Sequence, residues 1–208
     1  MDLSKSPLML RMTHALVLLA AFGLASCGGG AVPRDNYYRL VSPTEVATRT
    51  GGPLSGAAEV QPLRADGLLN DRAILFREGP SSIQGYSYHF WWQAPGSMLQ
   101  QSLIDDLRRA FAFDMVAGPE MKLDRAYDVI GRIRRLEQGP ASVVVELELS
   151  LRSARGGAPL LLKTYTEEVP TADGTVPTAV SAFSTALDRI WADFVTDLGT
   201  ISPPQPAK

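Results

Sequence analysis

The sequence has 208 residues, with 20 Lys and Arg against 22 Asp and Glu and a formal net charge of −2 at pH 7. A mildly acidic chain without a basic tract is a poor candidate for binding nucleic acid. One cysteine and two histidines leave too few residues for a disulfide within the chain, and they argue against a zinc or iron site.

Residues 1–26 have the layout of a secretory signal peptide. Lys5 and Arg11 form a positive head, and residues 15–24 form an apolar run of ten residues. That run is too short to span a membrane, which takes ~20 apolar residues. The next residues, Leu-Ala-Ser-Cys, resemble the bacterial lipobox, in which a lipid is attached to the cysteine sulfur before the chain is cleaved ahead of it. We therefore predict that residues 1–26 are removed and that Cys27 is the lipid attachment site.

Lipidation of Cys27 would decide where the mature protein resides. Two or more acyl chains hold a protein firmly at a membrane, and no free thiol would remain for catalysis or metal binding. Three glycines follow the cysteine, so residues 27–36 are predicted to form a flexible lipidated linker. Gly28 rather than Asp follows Cys27; by resemblance to enterobacterial sorting rules, this favours the periplasmic face of the outer membrane over the inner membrane.

Residues 37–200 are predicted to form one domain that begins with four strands. The segment 41–58 is rich in Pro, Gly, Thr and Ser and is predicted to be a loop. The second strand contains Pro62, which cannot donate to a central ladder, and is therefore predicted to lie at an edge. The predicted strands are 37–40, 59–65, 71–78 and 85–93.

The hydrophobic period changes after Pro95. Leu99, Leu103 and Leu107 recur at four-residue steps and predict an amphipathic helix. Residues 113–117 follow as a short strand, and then three longer segments alternate between apolar and polar residues, as in an antiparallel sheet with one wet face. These segments are 125–137, 142–152 and 158–169, with Arg134 and Glu146 as an expected cross-strand charge pair.

The last predicted element is a helix over 177–199. Its apolar stripe, which includes Phe183, Trp191 and Phe194, would suit either the core or a membrane-lying or partner-binding helix. The polar side is mainly acidic, which favours core packing, because surface-seeking helices are usually basic. The predicted fold class is α+β: an antiparallel sheet with two main helices packed on it, one inserted mid-chain and one C-terminal. Residues 201–208 form a proline-rich tail that is predicted to be disordered.

The sequence predicts no enzymatic activity and no catalytic, cofactor-binding or metal site. His14 leaves with the signal peptide, and His89 lies in the aromatic run YSYHFWW, where a packed, hydrogen-bonded ring is expected. There is no Gly-x-Ser-x-Gly, Walker or Rossmann pattern.

Asp105 and Asp106 could suggest paired carboxylates. Adjacent helix positions point about 100° apart, so we interpret them as solvated charges beside Arg108 and Arg109. No cofactor is expected apart from the covalent lipid.

The order of these segments resembles the ABC-type transport auxiliary lipoprotein family, in which the paraquat-inducible lipoprotein is one relative. A lipobox precedes YYRL, then VQPLRADGLLNDRAILFRE, then YSYHFWWQAPGSMLQQSLIDDLRRA. The likeness covers about residues 37–200, with Phe76 where tyrosine is usual. The matching residues are Val60, Pro62, Gly67, Leu68, Leu69, Arg72, Leu75, Phe76 and Arg77, then Tyr86, Tyr88, His89, Trp91, Pro95 and Leu99.

The resemblance implies a non-catalytic partner of an ABC transporter with an ATPase, a permease and an MCE-domain substrate-binding subunit. Its role would be tethering or docking while lipid-like cargo crosses the periplasm. Assembly into a homo-oligomer is a further possibility. The candidate partner surface comprises Tyr37, Tyr38, Trp91 and Trp92. Since Trp91 and Trp92 are adjacent on a strand, one should face the core and the other outward; the outward ring could instead pack under the loop at 41–58.

Two other functions fit the same sequence. One is a structural lipoprotein of outer-membrane assembly that binds protein partners. The other is a periplasmic lipid-binding carrier that holds an acyl chain beneath the sheet.

Overall fold

The computed structural model describes residues 33–41 and 54–201. The signal peptide 1–26, Cys27 and residues 28–32 of the linker lie outside this range, as do residues 42–53 of the predicted loop and 202–208 of the tail. From Asp35 onward the described residues belong to one compact unit.

In this part of the chain the structure has eight strands and two α-helices. Short 3₁₀ helices at Gly67–Asn70 and Pro119–Met121 lie between them. The strands are β1 (Asn36–Tyr38), β2 (Leu54–Val60), β3 (Ala73–Arg77), β4 (Ile83–Trp91), β5 (Phe113–Ala117), β6 (Tyr127–Gln138), β7 (Ser142–Ser153) and β8 (Leu161–Pro170), and the helices are α1 (Pro95–Arg109) and α2 (Val176–Leu198).

The strands form a single mixed sheet, so the predicted purely antiparallel sheet is wrong. The pairs β3–β4, β6–β7 and β7–β8 are antiparallel. The pairs β1–β4, β2–β5, β2–β6 and β3–β6 are parallel. Alternation of apolar and polar residues shows which face a side chain takes, but it does not show the direction of the neighbouring strand.

Strand β6 is the branch point of the sheet. One of its edges pairs with β7 along the whole strand. The other edge pairs first with β2, where Val60 lies opposite Val129, then with an isolated bridge at Arg64 and Arg132, and finally with β3. The chain from β2 to β3 therefore runs alongside β6 in the same direction, which makes the pairs β2–β6 and β3–β6 parallel.

The position of β2 corrects two predictions. The strand starts at Leu54 and ends at Val60, so residues 54–58 are not loop and residues 61–65 are not strand. It lies between β5 and β6 rather than at an edge. Pro62 falls just beyond the end of the strand, where its missing N–H does not interrupt the ladder.

The core lies between the sheet and the two helices. The apolar side of β7 is fully covered, as its alternation predicts: Val143, Val145, Leu147, Leu149 and Leu151 are each 0% exposed. Helix α2 packs on β7 and β8 with its aromatic stripe buried, which confirms core packing for this helix.

The opposite face of the sheet carries charged cross-strand pairs. The Arg134 guanidinium lies 3.1 Å from a carboxylate oxygen of Glu146 and 3.4 Å from one of Glu148. The expected pair of Arg134 and Glu146 is therefore present. Since these side chains are partly exposed, such pairs contribute only ~0.2–1 kcal/mol each.

Candidate interaction surface

The aromatic run of β4 is divided between two faces of the sheet. Strand β1 pairs with it in parallel, with Tyr37 opposite Phe90 and Tyr38 opposite Trp91. Because successive side chains alternate along a strand, one set of rings faces the helices and the other faces away from them.

The inner set of rings belongs to the core. Trp91 is 1% exposed and packs edge-on against Phe183 of α2, with ring centroids 5.5 Å apart. The prediction that Trp91 belongs to an exposed partner surface is therefore wrong. Tyr38 is half-buried, and its hydroxyl lies 2.9 Å from Nδ1 of His89. His89 is thus the packed, hydrogen-bonded ring that the sequence predicts, and it also contacts the ring of Tyr86.

The outer set of rings is open to solvent. Tyr37 is 55% exposed, Trp92 50% and Tyr88 40%. Tyr37 leans against Phe90, with centroids 5.8 Å apart. The inward and outward division of Trp91 and Trp92 is therefore confirmed. Residues 42–53, most of the loop under which Trp92 was alternatively expected to pack, lie outside the described range.

Two arginines lie over these outer rings. The Arg39 guanidinium is 5.8 Å from the centre of the Trp92 ring, and the Arg72 guanidinium is 5.3 Å from the centre of the Tyr37 ring. Such cation–π contacts contribute ~0.5–1 kcal/mol at exposed sites. We name the whole set the aromatic–arginine surface: Tyr37, Arg39, Arg72, Tyr88, Phe90 and Trp92.

Sequence reasoning missed both arginines. Arg39 lies two positions after Tyr37 and so shares its face by alternation, a signal that the sequence does contain. Arg72 comes to this surface through the pairing of β3 with β4, where Ala73 lies opposite Phe90. That register is not readable from the sequence.

The chemistry of this surface suits binding rather than catalysis. Aromatic rings with a polar tip and arginines are enriched at binding interfaces. Guanidinium groups bind phosphate and carboxylate oxygens in a bidentate manner. Within residues 33–41 and 54–201 there is no cluster of three or more His, Cys, Asp or Glu side chains that could hold a metal ion.

A buried carboxylate lies elsewhere, on helix α1. Asp106 is 9% exposed, so the prediction that it is a solvated charge is wrong. Its Oδ1 lies 2.9 Å from the Arg109 guanidinium, whereas Oδ2 is buried without a hydrogen bond from the described residues. Burial raises the pKa of Asp106 to about 6. Burial and the nearby charge of Asp106 also raise the pKa of Asp188, on α2, to about 6.

Residues 38–195 match the family described as the ABC-type transport auxiliary lipoprotein component. The chain belongs to the ABC-type transport auxiliary lipoprotein family. The resemblance found in the sequence is therefore confirmed, and the family description makes its members lipoproteins that are auxiliary to ABC-type transport. None of the curated proteins matches the chain.

Solved structures share the fold at low sequence identity. Protein XCC0632 from Xanthomonas campestris, of family DUF330, superposes with a TM-score of 0.68 and 20% identity. The match covers 77% of this chain and 92% of that one. An uncharacterized protein gives a TM-score of 0.65 at 11% identity, covering 78% and 97% of the two chains. At this identity the likeness concerns the fold alone.

Neither helix of the described residues is both long enough and apolar enough to pass through a bilayer.

Proposed function

We propose that this protein is a membrane-anchored periplasmic lipoprotein that acts as a non-catalytic auxiliary component of an ABC/MCE-type inter-membrane lipid transport system. The observation that carries the proposal is the family match, which extends from β1 into the last turns of α2. The role is to hold other components of the system at the membrane.

The lipid anchor supplies the location in this proposal. The lipobox-like residues 24–27 support acylation of Cys27, and the family description agrees with a lipoprotein. Gly28 at the following position supports the periplasmic face of the outer membrane as the site of anchoring.

Two features of the domain support a non-catalytic role. His89, the only histidine after the signal peptide, is engaged with the Tyr38 hydroxyl and packed against aromatic rings. The aromatic–arginine surface combines exposed aromatic rings with arginines, a composition that is enriched at binding interfaces.

The direct test is affinity purification of the tagged, lipidated protein from detergent-solubilised membranes, followed by identification of what remains bound. The proposal predicts recovery of an MCE-domain subunit together with the permease and ATPase. The Cys27→Ser chain, purified from the same cells, is the matched control and should recover less of each, because it is not held at the membrane.

Two results would overturn the proposal. Recovery of outer-membrane assembly proteins without transporter subunits would indicate a structural lipoprotein. Release of about one non-covalent lipid per chain, with no protein partner, would indicate a lipid-binding carrier.

A further inference from the structure

We propose that the aromatic–arginine surface docks the domain onto the phospholipid headgroup layer of the membrane in which Cys27 is anchored. This inference rests on the proposed lipid anchor and assigns this surface to the bilayer rather than to a protein subunit. It names the partner of a surface that the family description leaves without one.

The composition of the surface matches the headgroup region. Tyr and Trp have an apolar body with a polar tip, and both are enriched where a membrane meets water. Tyr37, Tyr88 and Trp92 are each at least 40% exposed, although large aromatic rings are ordinarily covered. Tyr37 lies opposite Phe90 in the parallel pair, so these two rings share one face of the sheet, and Trp92 lies two positions after Phe90. Tyr88 is exposed two positions before Phe90 on the same strand.

The two arginines supply contacts to phosphate. Arg39 and Arg72 are exposed and lie against Trp92 and Tyr37. A guanidinium that is positioned on an aromatic ring loses less conformational entropy when its fork binds phosphate oxygens. Rings that enter the apolar boundary would therefore carry each arginine to phosphate depth.

Two carboxylates limit the electrostatic part of the interaction. Asp35 accepts a hydrogen bond from the Tyr37 hydroxyl at 3.3 Å, and Asp71 is exposed immediately before Arg72. The surface is therefore not a strongly cationic patch, and the chain as a whole carries a net charge of −2. Binding should depend on the rings together with the two guanidinium groups, rather than on attraction of the whole domain to an anionic membrane.

The short polypeptide segment between Cys27 and β1 would keep this surface close to the bilayer. Eight residues separate Cys27 from Asn36, the first residue of β1. An extended chain spans at most ~3.6 Å per residue, so a lipidated Cys27 would keep β1 within roughly 30 Å of the membrane. At that range docking is intramolecular, and weak contacts suffice because the effective concentration is high.

Trp92 is a natural reporter for the test. Of the three tryptophans, Trp91 and Trp191 are each 1% exposed, and only Trp92 is open to solvent. The lipidated protein is reconstituted into vesicles of phosphatidylcholine and phosphatidylglycerol whose acyl chains are brominated near the headgroup end. Bromine quenches tryptophan fluorescence on contact, so we expect quenching of the exposed component and its absence in Trp92→Phe.

The arginines are tested with a charge-matched pair of variants. The double variant Arg39→Gln and Arg72→Gln should lower the ratio of docked to undocked domain by about fivefold for each arginine removed, at the usual contribution of a basic residue near a lipid surface. The control double variant changes Arg132 and Arg155, which are exposed on β6 and after β7, to Gln. This control should retain the quenching of the unaltered protein.

Two outcomes overturn the inference. If the protein floats with the vesicles but Trp92 is not quenched, the anchor is present and the surface does not face the bilayer. If both double variants lose quenching equally, general charge rather than Arg39 and Arg72 is responsible. A protein that fails to float with the vesicles would instead overturn the lipid anchor itself, so the two failures are distinguishable.

Discussion

Asp106 shows how a single residue can act against the stability of this domain. It lies on α1 with its carboxylate buried, and one oxygen has no hydrogen bond from the described residues. The ion pair with Arg109 does not offset burial, because the pKa of Asp106 is raised from 3.8 to about 6. A carboxyl group with a raised pKa in the folded state favours folding most when it is protonated.

This residue predicts a dependence of stability on pH. The contribution of Asp106 is fully present below pH ~3.8 and is lost as the pH rises through about 6. Asp106→Asn should therefore raise the free energy of unfolding at pH 8 by on the order of 1 kcal/mol, and it should flatten the decline between pH 5 and pH 8. Urea unfolding across that range provides the measurement.

The control for this prediction is Asp71→Asn, which removes an exposed carboxylate. It should leave the pH profile unchanged. A lower free energy of unfolding for Asp106→Asn at pH 8 would show that the ion pair with Arg109 outweighs the burial of the carboxylate.

At the scale of elements, two side chains of β8 donate hydrogen bonds to one carboxylate near the end of α2. The Tyr165 hydroxyl and the Lys163 ammonium each lie 2.7 Å from Oδ2 of Asp197. Tyr165 is 4% exposed, and its ring packs edge-on against Phe194. Burial, together with the hydrogen bond to the Asp197 carboxylate, raises the pKa of the Tyr165 hydroxyl.

We expect Tyr165→Phe to lower the free energy of unfolding by ~1–2 kcal/mol, since it removes a hydrogen bond to a charged group while the ring stays in place. Chemical denaturation checks the value. Tyr88→Phe removes a hydroxyl from a 40% exposed ring and should change stability by less than ~0.5 kcal/mol. Equal losses in the two variants would contradict the role given to Asp197.

The elements also show what the sequence can and cannot predict. Strands β6 and β7 and helices α1 and α2 follow from their periodicity to within a few residues. The parallel partners of β6 do not, because no local pattern records which distant segment lies beside a strand. The burial of Asp106 was missed for a similar reason, since it arises where α1 packs in the folded domain.

For the aromatic–arginine surface, too, the features set by neighbouring residues can be predicted from the sequence, whereas those set by distant contacts cannot. The opposite orientation of Trp91 and Trp92 follows from their adjacency on a strand. Which of the two faces outward depends on where α2 packs, and Phe183 of that helix covers Trp91. The position of Arg72 over Tyr37 depends on the order of three strands, β1, β4 and β3.

At the scale of the whole molecule, the described residues form one domain of a single sheet and two helices. Its helices cover one face of the sheet, and the other face carries charge pairs and, at the β1 end, the aromatic–arginine surface. The proposed lipid attachment site, Cys27, and the surface at β1 are neighbours in sequence, so a lipidated chain would present that end of the domain to the membrane.

The most direct test of this account is the distribution of the protein between membrane and soluble fractions of the cell when Cys27 is changed to Ser. Ser26→Ala, which keeps a small residue before the cysteine, is the matched control. We expect the unaltered protein and the control to remain with the membranes as a lipid-modified chain that begins at Cys27, whereas Cys27→Ser lacks the lipid and moves from the membrane fraction into the soluble fraction. An unchanged distribution, with no lipid on the unaltered chain, would contradict it.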